Sequence, residues 1–80
     1  MSAQPIEVTA IWDSEAKVWV AESDQIPGLV TEASNREEML RKLADIIPEL
    51  LRENEDTGDL PEVPYSLMWQ QTEIVRLKRA

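Results

Sequence analysis

Apolar and polar residues alternate with a period of two near the start of the chain, as they do in half-buried β-strands. The apolar positions of the first segment are Ile6, Val8, Ala10 and Trp12. After the polar residues that follow, Val18 and Val20 alternate with Trp19 and Ala21, so the two pairs point to opposite faces of a strand. This pattern predicts a β-hairpin. Its loop should contain four or five residues, because "DSEAK" lacks the glycine of a tight two-residue turn.

The dipeptide Pro27-Gly28 predicts the next reversal of the chain. Proline restricts its own φ, and glycine accepts a positive φ, so the pair suits the two central positions of a type II turn. A third strand should follow, from about Leu29 to Ala33.

The segment "SNREE" predicts the start of a helix. Ser34 and Glu37 have the spacing of a capping box, in which each side chain accepts a hydrogen bond from the other residue's free N–H group. At 100° per residue, the apolar side chains that follow cover an arc of roughly 160° on one face. They are Met39, Leu40, Leu43, Ala44, Ile46, Ile47, Leu50 and Leu51.

Pro48 lies inside this predicted helix. It has no N–H group to bond the carbonyl of Ala44, and its ring crowds the preceding turn. Because the apolar arc continues through it without a change of phase, we expect one bent helix with the freed carbonyl facing water. A helix that ends at Ile47 is the alternative.

The segment "RENEDTGDLPEVP" predicts an acidic loop, and it is the segment expected to be most flexible. Beyond it, Tyr65, Leu67 and Trp69 alternate with polar or flexible residues, and the phase becomes ambiguous farther on. One long bent strand or two short strands would both fit residues 63–78. The order is therefore β-β-β-α-β in a single α+β domain spanning 1–80: an antiparallel meander with one helix packed on one face.

A single helix covers only one face of a sheet, yet the strand pattern places apolar residues on both faces. Ile11 opposes Val8, and Trp19 opposes Val18 and Val20. The second face should therefore be covered by a partner or by a second copy in a homodimer. The alternative is that loops or the C-terminal strand cover two or three of these residues. Each of the three tryptophans fits the core at least as well as an interface, but because Trp is enriched in interfaces, the out-of-phase Trp19 is the better candidate to bind the partner. The other partner-binding candidates are Tyr65, Trp69 and the acidic helix pair Asp45 and Glu49, although ordinary solvent exposure also explains that pair.

Composition narrows the possible functions. The chain has neither cysteine nor histidine, which excludes disulfides, thiolate chemistry and the commonest general base and metal ligand. Its net charge of −8 disfavours direct binding of nucleic acid and favours a basic protein partner, although solubility alone would also account for it. The N-terminus has neither the basic region nor the apolar region of a signal peptide, and no apolar run could span a membrane, so we expect a cytoplasmic protein.

Carboxylates are the only abundant catalytic side chains. Asp13 with Glu15, and Glu22 with Asp24, are spaced closely enough to bind Mg²⁺ or to share acid–base chemistry. Both pairs lie in or beside predicted turns, where acidic residues are common. No phosphate loop, calcium loop or nucleophile motif accompanies them. The sequence therefore favours a protein that is not an enzyme and uses neither cofactor nor metal.

The central part of the chain, over about residues 6–52, resembles the HicB-like family. Its pattern is an aromatic-Val-Ala strand end, a Pro-Gly turn, a short strand and a capped helix that begins with paired acids. The matching residues here are Trp19, Val20, Ala21, Pro27, Gly28, Ser34, Glu37 and Glu38. The chain looks most similar to the short stand-alone members of unknown function. The resemblance implies a partial ribonuclease-H-like fold, without nuclease activity.

HicB proteins are antitoxins that bind HicA toxins, which are small basic ribonucleases. The resemblance therefore implies a protein-binding module that neutralises such a toxin. Two features differ from the family pattern. Ser23 and Leu29 replace a proline and a cysteine that are common around the turn, and no helix-turn-helix or ribbon-helix-helix segment follows the last strand, so DNA binding is not expected. The alternative is a stand-alone structural or regulatory dimer without a toxin partner.

Overall fold

Four strands and one helix follow one another in the predicted order. The computed structural model describes residues 5–53 and 62–78. Its elements are β1 (Ile6–Asp13), β2 (Val18–Glu22), β3 (Val30–Ala33), α1 (Arg36–Glu53) and β4 (Tyr65–Gln70). The α+β class and the β-β-β-α-β order are thereby confirmed. The predicted flexible loop includes residues 54–61, which lie outside the described residues.

The four strands form one sheet in the order β3-β2-β1-β4. The predicted antiparallel meander comprises β1, β2 and β3. The fourth strand pairs with β1 in the parallel direction, so the sheet is mixed. A parallel pair needs a long crossover connection, and the segment that contains α1 makes this crossover here.

The loop between β1 and β2 contains four residues, 14–17, within the predicted range. Asp13 organises this loop. Its Oδ1 atom accepts hydrogen bonds from the N–H groups of Glu15 and Ala16, at 3.0 and 3.1 Å. The backbone carbonyl of Asp13 accepts a 2.8 Å hydrogen bond from the N–H group of Lys17. Lys17 has a positive φ of 61° and ends the loop. The carboxylate of Asp13 therefore has a structural role in the turn.

The Pro27-Gly28 turn has the predicted form. The N–H group of Leu29 donates to the carbonyl of Ile26 at 3.1 Å, and Gly28 has a φ of 87°. This places proline and glycine at the two central positions of a type II turn. Ile26 and Leu29 on either side of the turn are both buried in the core. The third strand begins at Val30, one residue later than predicted, because Leu29 completes the turn.

The helix begins one residue later than the capping-box prediction. The N–H group of Glu38 donates to Oδ1 of Asn35 at 2.8 Å, and α1 starts at Arg36, so Asn35 is the N-cap. The prediction that Ser34 and Glu37 form a capping box is therefore wrong, because the cap lies one residue later in the chain. Asn and Ser cap helices about equally well, so sequence preference alone could not distinguish these neighbours.

The helix continues through Pro48 to Glu53, which excludes the predicted alternative of an end at Ile47. Ala44 and Pro48 are both exposed, so the position of the missing hydrogen bond lies on the solvent side of the helix. The buried stripe of α1 is narrower than the predicted arc and consists of Met39, Leu43, Ile47 and Leu51. Leu40 and Ala44 are exposed instead.

The core lies between this stripe and one face of the sheet. The register places alternate residues of the strands on this helix-covered face. Its buried members are Val8, Ala10, Trp19, Ala21 and Ala33. The helix contacts β2 and β3, and the residues of β4 on the same face are half-buried at the sheet edge.

The C-terminal pattern, which fitted one strand or two, forms a single paired strand that ends at Gln70. Residues 71–78 continue from it without a turn, a bend or pairing to another strand. We call residues 71–78 the C-terminal arm.

Substituting Gly28 tests the turn. We expect Gly28→Ala to lower the free energy of unfolding by about 1–2 kcal/mol, because a Cβ atom disfavours positive φ. The new Cβ would lie 3.6 Å from Leu50, an ordinary contact, so steric crowding adds little. Urea denaturation measures the change. Gly28→Asn should recover part of the loss, because Asn tolerates positive φ, and equal stability of all three proteins would contradict the turn assignment.

Two alanine substitutions distinguish the candidate caps. Asn35→Ala should reduce the free energy of unfolding by about 1 kcal/mol, because it removes the acceptor for the N–H group of Glu38. Ser34→Ala should change it by less than about 0.5 kcal/mol, as is usual for an exposed side chain. Thermal melts of both variants give the comparison. A larger loss for Ser34→Ala would restore the original capping-box prediction.

Candidate functional site

The sheet has a second face that α1 does not cover, and we call it the open face. Strand alternation and register place on it Glu7, Thr9, Ile11, Asp13, Val18, Val20, Glu22, Val30, Glu32, Ser66, Met68 and Gln70. In the described part of the chain, no helix packs on this face. The prediction that apolar residues occupy both faces is confirmed.

Apolar side chains lie across the whole open face, with Ile11 and Val20 on the central strands and Val30 and Met68 on the two edge strands. Ile11 is directly opposite Val20 in the β1–β2 ladder. Met68, Val30 and Ile11 are exposed to 61%, 68% and 41%. Several large apolar side chains exposed on one surface are typical of a binding site, whereas single exposed ones are not.

Carboxylates lie among these apolar side chains. Every acidic residue of the strands faces this side: Glu7, Asp13, Glu22 and Glu32. The four strands contain no lysine or arginine. Because like charges lie near one another without a cation on the same strands, the open face has a negative potential that attracts cations.

The loop after β2 closes one end of this face. The Ser23 hydroxyl donates to the carbonyl of Glu7 at 2.7 Å and accepts from the N–H group of Gln25 at 3.1 Å. The N–H group of Glu7 in turn donates to Oε1 of Gln25. A shallow cleft lies beside these bonds, lined also by Glu22 and Asp24. Sequence reasoning missed Ser23 and Gln25 as positioning residues, because their partner Glu7 is distant in sequence.

The three tryptophans lie on the helix-covered face, near the opposite end of the sheet. The ring centre of Trp19 is 5.2 Å from that of Trp12 and 5.0 Å from that of Trp69. The Arg36 guanidinium lies 5.6 Å from the Trp19 centre and 4.9 Å from the Trp69 centre, within the range of cation–π attraction. This cluster joins the start of the helix to β2 and β4.

Trp19 is only 7% exposed, so it contributes to the core and offers little surface to a partner. The sequence favours an interface position for Trp19, because Trp19 is out of phase with Val18 and Val20. The register reverses this assignment, because Trp19 is opposite Trp12 and shares its face. Alternation shows which residues share a face, but here both sets are apolar, so the helix decides which set is buried.

The other predicted partner-binding residues lie on separate surfaces. Tyr65 and Trp69 are half-buried on the helix-covered face of β4. Asp45 and Glu49 are exposed on the outer side of α1. The structure therefore does not bring these five predicted residues together in one site.

The two candidate carboxylate pairs lie at the ends of strands. Among residues 5–53 and 62–78, no group of three or more Asp or Glu side chains is arranged closely enough to hold a metal ion. Within the same residues, α1 lacks the long apolar stretch that would allow a helix to cross a membrane.

Comparison with known proteins identifies the family. A family model described as a domain of unknown function, DUF1902, matches residues 6–78. The chain therefore belongs to the DUF1902 family. The crystal structure of hypothetical protein TTHA1013 from the extremely thermophilic bacterium Thermus thermophilus is similar, with 49% sequence identity and a TM-score of 0.66. The similarity covers 92% of this chain and 100% of that chain. No curated protein matches the chain.

A substitution of Trp19 tests its place in the core. Trp19→Ala should lower the free energy of unfolding by about 3–5 kcal/mol, because it removes a large buried side chain and leaves a cavity. Ile11→Ala on the open face is the control and should cost less than about 1 kcal/mol, because Ile11 is already 41% exposed. Urea denaturation of both variants measures the difference. A wild-type midpoint for Trp19→Ala would place this side chain at a surface.

Proposed function

We propose that this DUF1902 protein is a non-enzymatic binding module that holds a basic protein partner against its open sheet face. The observation that carries the proposal is that exposed apolar side chains and carboxylates are interspersed on that one face. The module works in the cytoplasm and requires no cofactor.

The apolar side chains supply affinity. Ile11, Val30 and Met68 together expose more apolar surface than an isolated surface side chain would, and burying it against a partner releases water. The clefts on this face are shallow and open to solvent, so the face suits a protein surface better than a small molecule, which needs a more enclosed pocket.

The carboxylates supply selectivity for a basic partner. Glu7, Glu22 and Glu32 face the open side without a basic residue on any strand. The whole chain carries 16 acidic and 8 basic residues, so the overall charge reinforces the local one. Such a field accelerates encounter with a cationic protein and disfavours nucleic acid.

The resemblance to HicB-like antitoxins indicates which class of basic protein the partner belongs to. The strand, the Pro27-Gly28 turn and the capped helix that carry the resemblance position β2 and β3, and both of these strands contribute to the open face. A small basic ribonuclease toxin of the HicA type would meet the chemistry of this face, and binding would cover its cationic RNA-binding surface. The protein would then act as an antitoxin without its own catalytic group.

Charge reversal on two surfaces tests the proposal. Glu22→Lys/Glu32→Lys alters the open face, and Asp45→Lys/Glu49→Lys alters the predicted acidic pair on the outer side of α1. Each variant raises the net charge by the same amount, so a general charge effect is matched. We expect the first variant to bind a purified HicA-type ribonuclease at least about tenfold more weakly, a loss of about 1.4 kcal/mol, because repulsion replaces attraction.

Isothermal titration and an RNA-cleavage assay provide the readouts. The second variant should bind and inhibit like the wild-type protein. Equal weakening by both variants would show that total charge, and not the open face, attracts the partner. Continued cleavage in the presence of excess wild-type protein would exclude the antitoxin role and leave the alternative of a stand-alone structural or regulatory dimer.

A further inference from the structure

The C-terminal arm exposes apolar side chains to an unusual degree. Ile74, Val75 and Leu77 are exposed to 88%, 79% and 89%. The molecule measures 62 × 28 × 20 Å. Residues 71–78 contain no turn, bend or helix, and eight residues in an extended conformation span about 26 Å, which is a large share of the long dimension. Side chains this apolar on an extended segment indicate that it packs against another surface.

The strand from which the arm continues is an edge of the sheet. In the described part of the chain, β4 pairs with β1 on one side and with no strand on the other. An unpaired edge presents free N–H and C=O groups and favours the addition of a further strand. The arm could not reach the edge of its own β4 without reversing, and "QTEIVRLK" contains neither glycine nor proline to make a turn.

We propose that two copies of the chain exchange their arms, so that the arm of each copy pairs in the antiparallel direction with β4 of the other. The chain that pairs with the β4 edge is a second copy, because β4 and the arm follow one another directly along the chain. Each copy therefore offers both an edge and an arm to the other. A two-fold axis at their junction lets both pairings form at once and closes the dimer. The two sheets then join into a continuous sheet of eight core strands, extended by the arms.

The apolar pattern selects one register for this pairing, with Gln71 opposite Gln71 of the second copy. On the helix-covered face, Val75 is then opposite Leu67, and Leu77 is opposite Tyr65. These are half-buried side chains of β4 that need more cover. On the open face, Ile74 is opposite Met68, which is 61% exposed. A shift of two residues in either direction would place Ile74 opposite Ser66 or Gln70.

Two charged residues of the arm fit the same register. Glu73 is opposite Trp69, and the Arg36 guanidinium lies 4.9 Å from the centre of the Trp69 ring. Arg76 is opposite Ser66, whose neighbour on β1 is Glu7. Glu73 and Arg76 therefore each meet a group of opposite sign on the second copy.

This dimer does not depend on the proposed partner-binding function. Since the two-fold axis is perpendicular to the sheet, both helices lie on one side and both open faces lie on the other. The open faces would form one larger surface, available to a partner.

The absence of cysteine from the chain allows a direct test by cross-linking. In the proposed register, the two copies of residue 71 have Cα atoms about 5 Å apart, within reach of a disulfide. Gln71→Cys should therefore form a covalent dimer under mild oxidation. Glu73→Cys is the matched control, because its two Cα atoms would be about 14 Å apart along the strand. Failure of Gln71→Cys to cross-link, or equal cross-linking of both variants, would overturn the proposal.

Light scattering gives a second test that does not depend on cross-linking. The wild-type protein should have twice the mass of one chain, and Val75→Glu/Leu77→Glu should lose the dimer while keeping its circular dichroism spectrum. Val30→Glu/Leu40→Glu makes the same charge change at exposed apolar positions away from the arm and should remain dimeric. A monomeric wild-type protein, or a dimer that survives Val75→Glu/Leu77→Glu, would refute arm exchange. Glu22→Lys/Glu32→Lys should still dimerise, so this test is separate from partner binding.

Discussion

The packing of one helix on one face of a four-stranded sheet is the constraint on which the rest of this structure depends. The stripe of Met39, Leu43, Ile47 and Leu51 buries the sheet residues beneath it and completes the core. Burial of each such side chain stabilises a protein by about 1.5–3 kcal/mol before entropy is considered. A chain of 80 residues has no second helix in the described part to cover the other face, so that face remains open.

The open face differs chemically from the covered one. All strand carboxylates point away from the helix, where they stay hydrated, while small and aromatic side chains fill the core side. The free-energy cost of burying a charge explains this segregation. It does not explain why Ile11, Val30 and Met68 accompany the carboxylates, since polar side chains would serve solubility better. A binding role accounts for both the charges and the apolar side chains.

Among the described residues, the sheet also has an unpaired edge. The crossover through α1 places β4 beside β1, and nothing in the described residues pairs with its outer side. Natural proteins protect such edges, and an arm that carries three exposed apolar residues next to an unpaired edge favours protection by a second copy. Family membership and the relative from Thermus thermophilus support the fold, and their descriptions name no function. The open face supports the proposed binding function, and the arm supports the proposed dimer.

Local patterns in the sequence determined the elements: the hairpin, the Pro27-Gly28 turn and the helix through Pro48 all depend on neighbouring residues. Tertiary structure determined two properties that local patterns do not distinguish: which face of a strand is buried, and which strands pair in which direction. Packing of the helix determines which apolar face of β2 is buried, and it thereby places Trp19 in the core. The crossover makes β4 parallel to β1. Long-range bonds gave Ser23 and Gln25 their roles beside Glu7. The physical reason is that side-chain alternation records which residues share a face, whereas burial depends on which distant element packs there.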